Sequence, residues 1–129
     1  KNAFIADFIG ESSLLPTKVI NNKAYIGQSE ILVKKKVSTD GEFLLVIRPE
    51  KLFITNGKEK NSNIFTGIIE ESIFQGESQL VVIKLDPKNF GEQLLRMRLP
   101  NGTSIGNKPP IVGEEISVGL RMTDSFLVE

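Results

Sequence analysis

The stretch TGIIEESIFQGESQLVVIK, Thr66 to Lys84, lies without a gap over TKVINNKAYIGQSEILVKK, Thr17 to Lys35, at a displacement of 49 residues. Thr17 falls on Thr66, Val19 on Ile68, Tyr25 on Phe74, Gly27 on Gly76, Ser29 on Ser78, Ile31 on Leu80, Val33 on Val82 and Lys35 on Lys84. A second displacement, of 73 residues, brings Glu42 onto Glu115, Phe43 onto Ile116, Leu45 onto Val118, Ile47 onto Leu120, Arg48 onto Arg121 and Phe53 onto Phe126. Self-similarity at a fixed interval marks a repeated structural unit. The chain therefore reads as two copies of one β-unit, at about residues 14–55 and 63–129, the second carrying 24 extra residues between Lys84 and Glu115. Neither copy is long enough to bury its apolar face well alone, so the two are expected to pack as one folding domain.

Short apolar runs rich in β-branched residues place strands at Phe43–Ile47 and Leu80–Leu85. Similar runs lie at Leu52–Thr55, Ile64–Ile69, Gln93–Leu99 and Ile116–Met122. Between them stand Asn21-Asn22, Asp40-Gly41, Asn56-Gly57, Asn101-Gly102 and Pro109-Pro110, pairs that reverse a chain tightly. Many short strands at this spacing predict an all-β fold, a sandwich or small barrel. Only the beginning departs. Ala3, Phe4, Ile5, Phe8 and Ile9 recur at helical spacing and Gly10 is a helix stop, so residues 1–10 are expected to be a short helical remnant whose start lies upstream. With no initiating Met and no signal-peptide pattern, the chain is expected to be a fragment or a processed product.

The 129 residues carry 16 Lys+Arg against 16 Asp+Glu, and neither His nor Cys. Without Cys there is no disulfide, no thiolate nucleophile and no thiolate metal site; without His there is no Ser–His relay and no imidazole ligand. No apolar run approaches the roughly 20 residues of a membrane-spanning helix. Zero net charge argues against a bulk electrostatic grip on nucleic acid or anionic lipid.

The remaining motifs read as structure. Asn56-Gly57-Lys58 has the Gly-Lys pair of a phosphate loop, but Leu52 stands where the first Gly must be and Glu59 replaces the hydroxyl residue, so it is a turn. Glu70-Glu71 would point to opposite faces of a strand and cannot form a hydrolytic pair. Lys34-Lys35-Lys36 reads as an edge strand guarded against aggregation, since aromatic residues make up only 7% and Trp is absent. Asn101-Gly102-Thr103 has the form of a glycosylation acceptor and reads as a tight turn. Arg48-Pro49-Glu50 ends an apolar run, and alternation would put Arg48 and Glu50 on one face within ion-pair range.

Together these features resemble the transport-associated TOBE domain at the C-terminus of ATP-binding subunits of bacterial ABC importers. Phe4-Ile5-Ala6-Asp7-Phe8-Ile9-Gly10 through Leu15 is similar to the phrase "FVAxFIGxxNxL", with Ser13 where that family often has Asn. Val46-Ile47-Arg48-Pro49-Glu50-Lys51-Leu52 resembles "VRPExI", and Asn63 to Gly76 resembles "NxxxGxVxxxxFxG". The resemblance implies two OB-like β-barrel units packed as one domain over residues 11–129. It also implies an ATPase domain upstream in the same polypeptide, with residues 1–10 as the end of the linker helix. All nucleotide-binding and catalytic motifs would then lie outside this chain, which is expected to be no enzyme and to need no cofactor or metal. The implied role is regulation of the ATPase and support of a homodimer with a second copy of the subunit. Contact with the membrane permease would be indirect, at the cytoplasmic face of the membrane. The solute would be of the polyamine, ferric iron or phosphonate type.

By motif position, interaction weight falls on Arg48 and Glu50 and on Phe74, Gln75 and Gly76. Two other functions compete with regulation: a module sensing a small ligand such as a polyamine or oxyanion, and, more remotely, an OB-type nucleic-acid binder.

Overall fold

A computed structural model describes residues 12–104 and 109–129. The helix end expected at residues 1–10 lies outside the described residues. The first sheet contains β1 (Ser13–Ile20), β2 (Lys23–Ile26), β3 (Ser29–Ile31), β4 (Gly41–Ile47) and, from the far end of the chain, β10 (Phe126–Val128), in the order β10-β4-β1-β2-β3. The second contains β5 (Phe53–Ile54), β6 (Ser62–Gln75), β7 (Ser78–Leu85), β8 (Leu94–Pro100) and β9 (Glu115–Arg121), in the order β5-β9-β6-β7-β8. Every pairing is antiparallel. The chain is all-β, two curled OB-like units over one core.

The two copies exchange their last strands. β5 leaves the first sheet to pair with β9, through Phe53↔Gly119 and Ile54↔Val118, and β10 returns to pair with β4, through Phe126↔Val46 and Leu127↔Leu45. These are the same pairings displaced by 73 residues. Inward side chains of both sheets, among them Leu15, Leu45, Phe65, Ile83, Met97 and Leu120, are at most 1% exposed and form one cluster. Each such side chain contributes about 1.5–3 kcal/mol relative to leaving it in water.

In the first strand the repeat is one residue out of step with the displacement of 49. Thr17 and Val19 are buried while Thr66 and Ile68 are exposed; the inward partners are Ser13 with Asn63, Leu15 with Phe65 and Val19 with Ile69. The cause is local. The first copy turns back at Asn21-Asn22, whose φ values are 53° and 67°, whereas the second runs straight on through a bulge between Ile69 and Glu71. After that the interval of 49 returns, since Ala24↔Ile31 and Ile73↔Leu80 are the same pairing. Lys34-Lys35-Lys36 also departs from expectation. The three exposed lysines lie in a loop after β3, where the Lys34 amide donates to Ser125 O at 3.0 Å. Asn101-Gly102 is a turn, with the Thr103 hydroxyl donating to Pro100 O at 2.7 Å.

The sheets are pinned to each other at reciprocal places. Ser13 Oγ, at the start of β1, accepts from the Arg96 amide of β8 at 3.1 Å. Asn63, at the start of β6, accepts from the Leu32 amide beyond β3 at 2.7 Å and donates to Leu32 O at 2.8 Å and Ser125 Oγ at 3.0 Å. One edge strand of the second sheet, β8, and the residue that follows the edge strand β3 of the first are thus each met by a buried polar side chain of the other sheet.

The 24 extra residues include a four-residue helix, α1 (Pro87–Phe90), that the β-branched pattern does not reveal. Asp86 caps it by accepting from the Lys88 amide at 3.1 Å, Pro87 opens it and Gly91, at φ 77°, closes it. Phe90 carries the helix onto the core, its ring centroid 5.4 Å from that of Phe65. The β2–β3 turn rests directly on this helix: Gln28 N donates to Asn89 O at 3.0 Å, and a Cβ on Gly27 would come within 2.7 Å of that oxygen. Gly27 also sits at φ 60°. Gly27→Ala is therefore expected to cost about 2 kcal/mol in a urea titration, through left-handed strain and loss of this contact. A change below a few tenths would show that the turn can lift off the helix freely.

Candidate functional site

β4 ends at Ile47 because Pro49 has no N–H to continue the ladder, and Pro49–Lys51 wind one 3-10 turn instead. Arg48 precedes that turn in extended conformation (φ −79°, ψ 131°) and is exposed. Arg121 precedes the matching turn Met122–Asp124 in the same way (φ −63°, ψ 145°). The strand exchange then delivers one phenylalanine to each turn. Arg121 stacks 5.1 Å from the centroid of Phe53, and Lys34 Nζ lies 5.3 Å from the centroid of Phe126. Such contacts are worth about 0.5–1 kcal/mol at exposed sites.

Two matched clefts result. One, of about 360 Å³, is lined by Val46, Arg48, Lys51, Asp124, Phe126 and Val128; the other, of about 450 Å³, includes Phe53, Lys60 and Arg121. The first combines an apolar floor with two cations and one carboxylate on its walls. Such a lining suits an amphipathic group, and its described residues include no base-activated nucleophile. Among the described residues no group of three acids could hold a metal ion.

The candidate residues fall in two separate places. Arg48 lines the first cleft, and Glu50 is exposed in the 3-10 turn, where the alternation expected to align it with Arg48 does not operate. Phe74, 71% exposed, and Gln75 and Gly76 form the tip of the β6–β7 hairpin. There Gln75 Oε1 accepts from Arg98 Nη2 at 2.8 Å and Gly76 O accepts from Asn101 Nδ2 at 2.7 Å. Lys51, Asp124 and Phe126 were not singled out by motif position. The self-matches of Arg48 with Arg121 and Phe53 with Phe126 carried the signal that could have found them.

The family model described as "TOBE domain" matches residues 45–128. The chain belongs to the TOBE domain family. A relative named spermidine/putrescine import ATP-binding protein PotA, from Thermotoga maritima, is 28% identical over 140 residues, covering 99% of this chain and 37% of the relative. A protein of the same name from Bacteroides thetaiotaomicron is 36% identical over 77 residues, covering 58% of this chain and 16% of that one. The chain thus spans about a third or less of the length of the curated relatives it matches. Among solved structures, the cytoplasmic molybdate-binding protein ModG superposes with a TM-score of 0.65 at 13% identity, covering 92% of this chain and 93% of ModG. That likeness supports the OB-like fold alone. The TOBE domain is a non-catalytic domain. Among the described residues no helix is long and apolar enough to cross a membrane.

Proposed function

We propose that this TOBE domain is the C-terminal regulatory and dimer-supporting part of an importer's ATP-binding subunit, acting on an ATPase domain upstream in the same polypeptide. The observation that carries this reading is the alignment of 99% of the chain with only 37% of an import ATP-binding protein. The solute is of the class in the relatives' names, spermidine or putrescine. The assembly sits at the cytoplasmic face of the membrane, with a second copy of the subunit as direct partner and the permease as indirect one.

A β-domain of this kind alters ATPase output only if its contacts differ between the open and closed states of the motor. The exposed hairpin tip at Phe74–Gly76 is the candidate contact with the second copy. The Arg48–Glu50 turn is the candidate contact on the side of the chain's entry, because Ser13 pairs with Ile47 and the chain reaches β1 beside Arg48.

The test uses the full native subunit with its permease in proteoliposomes, comparing the intact protein with one truncated before Ser12. Coupling of 1–3 kcal/mol corresponds to about 5–150-fold, so the truncation is expected to change transport-linked ATP hydrolysis at least about fivefold. Equal rates for the two, or a native gene without nucleotide-binding motifs upstream of Lys1, would overturn the reading.

A further inference from the structure

Glycine has no Cβ, so other groups approach its backbone closely, and an asparagine before it can reach the glycine nitrogen with its own side-chain carbonyl. The chain contains two such pairs, Asn56-Gly57 and Asn101-Gly102, both exposed. Their side chains are engaged differently. Asn101 Nδ2 donates to Gly76 O at 2.7 Å, and the amide two residues on, that of Thr103, donates to Pro100 O at 3.3 Å. Asn56 Oδ1 instead accepts from the amide two residues on, that of Lys58, at 3.1 Å. This is an Asx-turn, which brings the side-chain carbonyl beside the intervening nitrogen of Gly57. That nitrogen donates to Thr55 Oγ1 at 2.9 Å, and the Thr55 hydroxyl donates in turn to Glu59 Oε1. Asn56 Cγ therefore has an N–H donor on its oxygen and, next to it, a nitrogen whose proton has a path to a carboxylate.

We propose that Asn56 is a self-modifying site, at which the folded loop promotes its own deamidation while Asn101 is held inert. Gly57 N gives its proton to Thr55 Oγ1 as the Thr55 hydroxyl proton passes to Glu59, and the nitrogen forms a bond to Asn56 Cγ. The carbonyl electron pair moves onto Oδ1, where the Lys58 N–H meets the developing charge. When the pair returns, the Cγ–Nδ2 bond breaks and Nδ2 leaves as ammonia with the proton handed back from the relay. Water then opens the cyclic imide at either carbonyl, leaving aspartate or isoaspartate, so that amide and water become acid and ammonia. Thr55 touches the reacting nitrogen; Glu59 acts through it and is a positioning residue. The product adds a carboxylate to a chain of zero formal net charge, in the loop whose Glu59 and Lys60 line the cleft that holds Arg121. The isoaspartyl form also routes the main chain through Cβ beside β5, the short strand that carries Phe53 onto Arg121. The site uses only the chain's own residues 55–59, so it stands or falls separately from the importer reading.

The full 129-residue chain is incubated at neutral pH, folded and in urea, and peptide mass spectrometry follows conversion of amide to acid at both Asn-Gly pairs over time. In urea the two sites are expected to convert at comparable rates. In the folded chain Asn56 is expected to convert at least about tenfold faster than Asn101 and faster than it does in urea, a gain on the low side of what a positioned base contributes. Thr55→Val is expected to return Asn56 to the urea rate, and Thr55→Ser to keep the folded one. Glu59 is exposed, so its replacement leaves the core untouched. Glu59→Gln is expected to slow Asn56 about as much as Thr55→Val, with rescue by Glu59→Asp, which restores a carboxylate. Asn101 in the same molecules is the internal control, because a variant that merely unfolded would free it from Gly76 and raise its rate to that in urea. Equal rates at the two sites of the folded chain, faster conversion of Asn56 in urea than in the fold, or a parent rate in Glu59→Gln would each overturn the proposal. So would faster conversion in Thr55→Val, which would mean that the hydrogen bond holds the Gly57 nitrogen back.

Discussion

Asn63→Ala is expected to lower the unfolding midpoint by roughly 10–20 °C, the counterpart of about 3–4 kcal/mol in a domain of this length. Asn63 is 5% exposed, and its amide group holds both backbone groups of Leu32 as well as the Ser125 hydroxyl. Alanine would leave all three without those partners, the Ser125 hydroxyl in a fully buried place and the Leu32 backbone in a part-buried one, and each lost bond costs about 1 kcal/mol. The consequence also spreads, because Ser125 Oγ donates in turn to Arg121 O at 2.8 Å, beside the turn that launches β10. Ser13→Ala removes one contact, to the Arg96 amide, and is expected to cost only about 1 kcal/mol. Calorimetry on the two variants separates them. If Asn63→Ala fell within 1 kcal/mol of the parent, the reciprocal pinning of the two sheets would carry no weight in stability.

The strands that stand out in the sequence are those whose β-branched runs serve the core on one face and a neighbour on the other. β4, β7 and β9 fall within two residues of Phe43–Ile47, Leu80–Leu85 and Ile116–Met122. β1, β2 and β3 have no such run, and only their likeness to Thr66–Lys84 gave them away. That likeness misplaced the first strand by one residue, because the hydrophobic pattern alone does not distinguish a hairpin turn at Asn21-Asn22 from a bulge at Glu70. The helix at Pro87–Phe90 is too short for a periodic signal, although Asp86-Pro87 before it and Gly91 after it are a legible start and stop. At the site, Arg48 was legible from its motif, whereas Phe126 reaches the same cleft only through strand exchange. Exchange is a property of topology, and no local pattern encodes it. Asn63 left one trace: an amide on the inward parity of a strand whose next inward residue is Phe65.

Gly119→Val would write the first sheet's residue into the second, since Val46 is its match, and is expected to cost about 3 kcal/mol. A Cβ alone at position 119 would lie 2.5 Å from Phe53 Cζ and 2.6 Å from Cε1, far inside contact distance, so the ring must leave. β5 has little with which to resist. It is two residues long, and the nearest further anchor is the Thr55 amide donating to Ser117 O at 3.0 Å. Expelling Phe53 therefore strips the outer face of the second sheet and releases the Arg121 stack together. The first sheet accommodates its valine because its matched aromatic, Phe126, stays 48% exposed beside Val46 and does not fold over it. The decisive comparison is a double-mutant cycle with Phe53→Ala. Removing the ring removes the overlap, so the two substitutions together are expected to cost less than the sum of each alone by about 1–2 kcal/mol. Strict additivity would mean that Gly119 is required for its backbone and not for the space it leaves to Phe53, and the difference between the two outer faces would then need another cause.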